Sequence, residues 1–567
     1  TRSRRGAVIA LAAAGSALLL LGGLTGWLLL RGGDAIAEPP PNDAPAAVRD
    51  SEEPFIFGTT AEVRTLDPFL ATEQESLRAS RQVFETLLRH DSEATIVGGL
   101  AEEWEHSEDG TEWTFHLRED VRFHDGDDLD AEAVCANFDR WHHLTGDFQD
   151  STYSYYWQAM FGGFAENESD DLPDSDFVSC EATDDRTTVI TLAAQSPQFP
   201  GAFTLASFGI MSPSTVEEIS GATFTGNGPD DFPEYSRTTG TLAGTGPFTL
   251  GEWDQDLQEL TLERFDDHWA GPAGFESVIL RAIDDRTDRH HALAAGDIDG
   301  YDQVAVEDVA SLTGDGFQLP DSAPFNLLYL GVQQEAHEAL EDPKARQALA
   351  HAIDRQSIVD TAFPPGSEVA TQFVPSTVDG WSSDVPTYDH DPDLATALLE
   401  DVDLPDDDIV LCYPDDTSRS YMPDPQEIAT TIGADLADAG VSTEMVAYEW
   451  TDYVARVYQG DCALYLLGWT GDFNEAHNFV GPHFADHEPQ FGFRDEDLFD
   501  AVDEAASLPD PSDRAAEYQD VNVRIMEALP AVPIASAPTH TVYSADVEPP
   551  GVSALFGHEN LAEGSWR

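Results

Sequence analysis

"VSTEMVAYEWTDYVARVYQGDCALYLLGWTGDFNEAHNF", residues 441–479, decides the fold of this chain. Residues 441–450 read as a strand, Thr451 opens a helix that runs to Gly460, and the apolar run "CALYLLGW" is the next strand. Upstream, "DIVLCY" (408–413) is a short strand. "DPQEIATTIGADLADAG" (424–440) is a helix with Ile428, Ile432 and Leu436 on one face and Gly440 as its stop. The order is β-α-β-α-β, which predicts a right-handed parallel sheet.

In open α/β sheets, ligands sit beyond the carboxyl ends of the strands. Trp469, Gly471 and Asp472 stand at such an end. An Asp there suits a cation or a primary ammonium, Trp offers an amphipathic wall, and Gly lets the backbone come close to a ligand. The bland alternative makes Asp472 the cap of the next helix and Trp469 a core residue. A second loop, "CYPDDTSRSYMPDP" (412–425), follows the first strand of the unit and carries Arg419 and Tyr421. Arg419 is either a salt-bridge partner or a carboxylate clamp, since its planar fork binds carboxylates bidentately. Together the two loops would present an acid and a base to one zwitterion.

The composition limits the alternatives. The chain has 567 residues, 108 acidic against 27 basic, and a formal net charge of −81. Nucleic acid is excluded as a partner, because phosphate binding needs a basic surface. With 41% hydrophobic and 10% aromatic residues the chain is globular, and its length predicts two or three domains. Lys344 is the sole lysine. The acid reads as a solvated surface suited to a salty exterior, although GC-rich codon usage would deplete lysine in the same way.

Arg2, Arg4 and Arg5 precede an uncharged stretch, 6–30, long enough to span a bilayer, which takes about 20 residues. The expectation is an N-terminal membrane anchor or signal segment (1–33), then a Pro/Ala-rich linker (34–53). "AIA" at 35–37 is a possible cleavage point, which would release a secreted form. Either way the remainder is extracytoplasmic by the positive-inside rule. Four cysteines in an exported chain suggest two disulfides, simplest as the local pairs Cys135–Cys180 and Cys412–Cys462, with buried free thiols as the alternative.

Several other elements are legible. "FIFGTTAEVRTLDPFL" (55–70) is a strand and turn. "SLRASRQVFETLLRH" (76–90) is an amphipathic helix with Leu77, Val83, Phe84, Leu87 and Leu88 on its stripe. "EDG" (108–110) turns a hairpin, and Asp130 caps a helix after the acidic turn "HDGDD" (124–128), which lacks EF-hand spacing. "EDPKARQALAHAIDRQSIVDTAF" (341–363) is one helix, capped by Asp342, with Leu349, Ile353 and Ile358 facing a core. Residues 220–240 form a boundary or excursion. The pairs "WHH" (141–143) and "RHH" (289–291) lack a metal-ligand pattern, and no catalytic motif such as G-x-S-x-G or H-E-x-x-H is present. No cofactor, metal or catalytic residue is expected.

These stretches resemble a known family. "AEEWEHSEDGTEWTFHLREDVRFHDGDDLDAEAV" (101–134), "GTGPF" (244–248), the R-x-A-x-x-x-A-I-D-R pattern at 346–355 and above all "GWTGD" (468–472) are similar to the family 5 extracytoplasmic solute-binding proteins of peptide ABC importers, in particular their dipeptide-binding members. The resemblance covers roughly 55–540. It implies an α/β, two-lobed periplasmic-binding-protein fold (class II, cluster C) with a hinge and an extra subdomain on lobe I. The expected division is 54–93, 242–320 and 540–567 for lobe I, 94–241 for the extra subdomain and 321–539 for lobe II. It further implies that Asp472 pairs with a ligand α-ammonium, that Trp469 lines the site, and that Arg419 holds the α-carboxylate beside Tyr421. The expected partners are a di- or oligopeptide and ABC permease subunits, and the expected state is a monomer. Wider relatives take oligosaccharides, nickel or haem, and "DFNEAHNF" (472–479) departs from the family's usual Gly/Asp/Pro-rich turn. An exported hydrolase is the remote alternative.

Overall fold

The computed structural model describes residues 53–92, 94–196, 199–223, 231–405, 407–415, 417–553, 555 and 557–567. The expected N-terminal anchor, the linker up to residue 52 and part of the 220–240 excursion lie outside the described residues. Among the described residues no helix is long and apolar enough to cross a membrane.

Three sheets organise the chain. In the first, Phe55–Thr59 is central and runs parallel to both Ser277–Ala282 and Gly300–Tyr301. The hairpin Phe248–Asp254/Glu259–Arg264 extends one side, and Val542–Tyr543 closes the other. The second is antiparallel, in the order Ala101–His106, Glu112–Leu117, Thr187–Leu192, Phe177–Asp184. Glu112–Leu117 alternates exposed and buried as its period-two sequence predicts. The third sheet carries the 441–479 unit. Ile409–Pro414 pairs in parallel with Thr443–Tyr448 and with Leu464–Thr470, joined by the helices Pro425–Asp438 and Trp450–Tyr458, as the sequence pattern requires. Ile428, Ile432 and Leu436 are fully buried, and Gly440 takes the left-handed backbone at the helix stop with φ 98°. Asn326–Val332 then adds antiparallel to Leu464–Thr470, so the sheet is mixed. Asn326–Val332 has strands on both sides, and all of its residues are buried.

Both cysteine pairs are disulfides, Cys135–Cys180 and Cys412–Cys462. The second ties the strand Ile409–Pro414 to the segment that leads into its parallel neighbour, Leu464–Thr470. Asp130 caps its helix by accepting from the Ala133 N–H at 2.7 Å.

Two helices differ from the sequence reading. The first amphipathic helix is Gln74–Val83, shorter than its apolar stripe. The Val83 carbonyl accepts from the Gly246 N–H at 2.9 Å, so the "GTGPF" entry takes the acceptor that a further helical turn needs. Phe84 is extended, and Leu88 belongs to a short strand. The expected helix over 341–363 is two, Pro343–Ala352 and Arg355–Ala362. Asp354 breaks it by capping the second, accepting from the Ser357 N–H at 3.0 Å. Arg355 is buried and donates to the carbonyls of Ala370 and Pro533, which fixes the turn.

The Cys412–Cys462 bridge closes a loop of 50 residues. Replacing both cysteines by alanine is expected to lower unfolding stability by roughly 2–4 kcal/mol in denaturant titration.

Candidate functional site

The carboxyl ends of Ile409–Pro414, Thr443–Tyr448 and Leu464–Thr470 lie on one edge of the third sheet, because the three strands are parallel. Asp472 leaves that edge two residues beyond the last strand. The helix that follows is Ala476–Phe484, with Glu475 at its N-cap position, so Asp472 is not the cap. Instead the Asp472 backbone N–H donates to Asn478 Oδ1 at 2.8 Å, which fixes the loop. The carboxyl is half-buried, and among the described residues no cation forms an ion pair with it. Burial raises its pKa to about 6, against the opposing pulls of the Asn478 side chain and the Arg81 guanidinium.

The loop that carries Arg419 and Tyr421 packs on the strand that leads to Asp472. Tyr421 is buried with its ring against Gly468, where an added Cβ would lie 2.3 Å from Tyr421 Cδ2. Trp469 is the next residue. It is half-buried beside Leu327 in the ladder, and its indole N–H is buried without a hydrogen-bond partner. Arg419 is exposed on the same loop as Tyr421. No carboxylate pairs with it among the described residues, and its guanidinium lies 4.6 Å from the centre of the Trp450 ring.

At Gly471 an added Cβ would lie 2.5 Å from ring atoms of both Phe325 and Phe479, so this glycine makes room for aromatic packing. Phe473, directly after Asp472, is fully buried in the cluster around the second sheet, against Gly201 and with Phe199 and Phe203 in the same cluster. Glu475 pairs with Arg514, whose Nη2 donates to the Phe199 carbonyl at 2.9 Å. Burial pushes the Glu475 carboxyl up to about 7 and the His477 imidazole down to about 4.

Sequence reasoning missed the groups that face Asp472 from outside this sheet. Arg81, on Gln74–Val83, is the cation whose charge reaches it. Tyr155 and Tyr156, on Ser151–Phe161, are both raised by burial first and by the Asp472 charge second. Nothing in their spacing marks them, because each belongs to an ordinary helix.

Comparison with known proteins places this geometry. The family described as bacterial extracellular solute-binding proteins, family 5 (middle region), matches residues 95–490. This chain belongs to that family. The haem-binding protein A of Haemophilus influenzae is 27% identical over 520 residues, covering 89% of this chain and 90% of its own. The dipeptide-binding protein of Escherichia coli is 26% identical over 452 residues, covering 78% and 81%. The solved structure of HbpA2 from Haemophilus parasuis superposes with a TM-score of 0.77 at 25% identity, covering 91% of this chain and all of that one. The fold is therefore the two-lobed one of family 5, and the chain is an extracytoplasmic solute-binding receptor of ABC importers.

Two outcomes follow from the receptor's geometry. Gly471→Ala forces both phenyl rings to move and is expected to cost roughly 1–3 kcal/mol of stability in urea titration. Asp472→Asn removes a desolvated charge without a counter-ion and is expected to stabilise the free protein by about 1 kcal/mol at neutral pH. Because the folded pKa is raised, that gain is full above about pH 6 and fades as the pH falls into the ordinary carboxylate range.

Proposed function

We propose that this receptor binds dipeptides or short oligopeptides between its lobes and delivers them to an ABC permease. The observation that carries this reading is Asp472: a half-buried carboxylate at the carboxyl edge of the sheet, without a counter-ion, whose pKa burial raises. Such a group is poised for a primary ammonium, which would restore the favourable pairing that burial withholds. Trp469 then forms a wall of the site, and Arg419 with Tyr421 holds the far carboxylate. A neutral oligosaccharide would leave the Asp472 charge uncompensated, and nickel or haem would have to do without an amine for it. In this reading 54–93, 242–320 and 540–567 form lobe I, 94–241 its extra subdomain and 321–539 lobe II. The receptor works as a monomer tethered to the membrane by its N-terminal segment, with no catalytic step.

Calorimetric titration with dialanine tests the proposal. Tight binding is expected, with a loss of roughly 30-fold or more for N-acetyl-dialanine and for Asp472→Ala. A matching loss for dialanine amide, reproduced by Arg419→Ala, would assign the carboxylate clamp. Absence of dialanine binding to folded, ligand-free protein would sink the dipeptide reading.

The carboxyl pKa of about 6 also sets a pH dependence. Affinity is expected to fall about tenfold between about pH 7 and about pH 5, as the anchor protonates, and to be flat over that range in Asp472→Asn.

A further inference from the structure

A cavity of about 390 Å³ is lined by Arg81, Glu85, Arg89, His90, Trp269 and His558 among others. Its wall is unusual for a chain with 108 acidic and 27 basic residues. In such a chain each guanidinium has carboxylates to spare, yet Arg81 Nε is buried without a partner. Arg81 Nη1 donates only to a carbonyl, that of Gly557, at 3.1 Å. Both ring nitrogens of His90 are also buried without partners, and its ring centre lies 5.9 Å from that of His558.

The nearby acids are already engaged. Glu559 accepts from Arg78 Nη1 at 2.6 Å. Glu85 accepts from the Trp269 indole at 3.0 Å. The carboxylates that line the same cavity, Glu85, Glu559 and Glu563, thus leave Arg81 Nε and the His90 ring unpaired among the described residues. Buried donors left unmade cost about 1–3 kcal/mol each, so the arrangement calls for an acceptor from outside. Both imidazoles are held neutral by burial first and by Arg81 second, so each can donate one N–H without adding charge. Arg81 supplies the positive charge.

We infer that Arg81, His90 and His558 form a carboxylate-binding subsite in this cavity, which takes an acidic side chain of the bound peptide. The inference rests on the peptide reading above and adds a second charge to it. Glutamyl-alanine is expected to bind about tenfold more tightly than dialanine, and Arg81→Gln to abolish the difference. Equal weakening of both peptides in Arg81→Gln would overturn the side-chain subsite. Binding of both peptides by Arg81→Gln and His90→Gln as by the unaltered protein would overturn the subsite while leaving the Asp472 anchor in place.

A second measurement needs neither a variant nor a peptide. Succinate is titrated into the unaltered full chain while the histidine imidazole resonances are followed by NMR. Saturable shifts at His90 and His558 are expected even if no peptide binds, which would separate the failure of the peptide reading from that of the subsite. Unmoved His90 and His558 resonances would overturn the subsite.

Discussion

The site inherits its geometry from one ladder. Leu464–Thr470 is held antiparallel to Asn326–Val332 along its whole length, Asn326 facing Thr470 and Val332 facing Leu464. A slip of one residue would turn Trp469 to the other face and carry Asp472 away from the sheet edge. The register is hard to slip because Asn326–Val332 is buried throughout and paired on both sides. Gly331 adds a steric pin, since an added Cβ would fall 2.0 Å from the Tyr465 ring. Asn326 adds a polar one: its side chain donates to the Ala537 carbonyl at 2.9 Å and accepts from the Ala537 N–H at 3.0 Å. The same residue therefore ties this strand to the segment returning to the first sheet.

Much of this was legible in the sequence, for physical reasons. The parallel unit announced itself because two helices with clear periodicity separate three apolar runs, and few folds accommodate that order. The pairing of cysteines followed from proximity along the chain. The placement of Asp472 just beyond a strand's carboxyl end was legible from the same order, and Tyr421 packs against Gly468, one residue from Trp469. Helix ends were less legible. The stripe from Leu77 to Leu88 stays apolar past Val83, yet the helix stops where a distant Gly246 N–H competes for a carbonyl. The packing that needs glycine at 471 was not legible, since the rings that take its space, Phe325 and Phe479, belong to other elements. Arg81 left no trace because it stands nearly four hundred residues from Asp472 in the chain.

The arginines explain how so acidic a chain keeps its core. Arg346 is buried and donates to the carbonyls of Leu340, Glu341, Ala528 and Leu529. Arg514 reaches the carbonyls of Phe199, Leu508 and Pro509 as well as Glu475. Arg78 draws Glu75, Asp302 and Glu559 around one guanidinium. Cations are scarce, and these ones are used as internal braces that satisfy several acceptors at once.

Phe473 gives the loop a mechanical meaning. It follows Asp472 directly, yet its ring is buried among residues around the second sheet rather than the third. Burying a phenyl ring contributes about 1.5–3 kcal/mol. Any motion that separates the second sheet from the third must pull this ring out of its socket, and any motion that joins them must seat it again. In the peptide reading proposed above, the residue that meets the ligand's charge and the residue that bolts these two layers together are neighbours on one short loop, so that seating the ring and positioning the carboxylate are one movement.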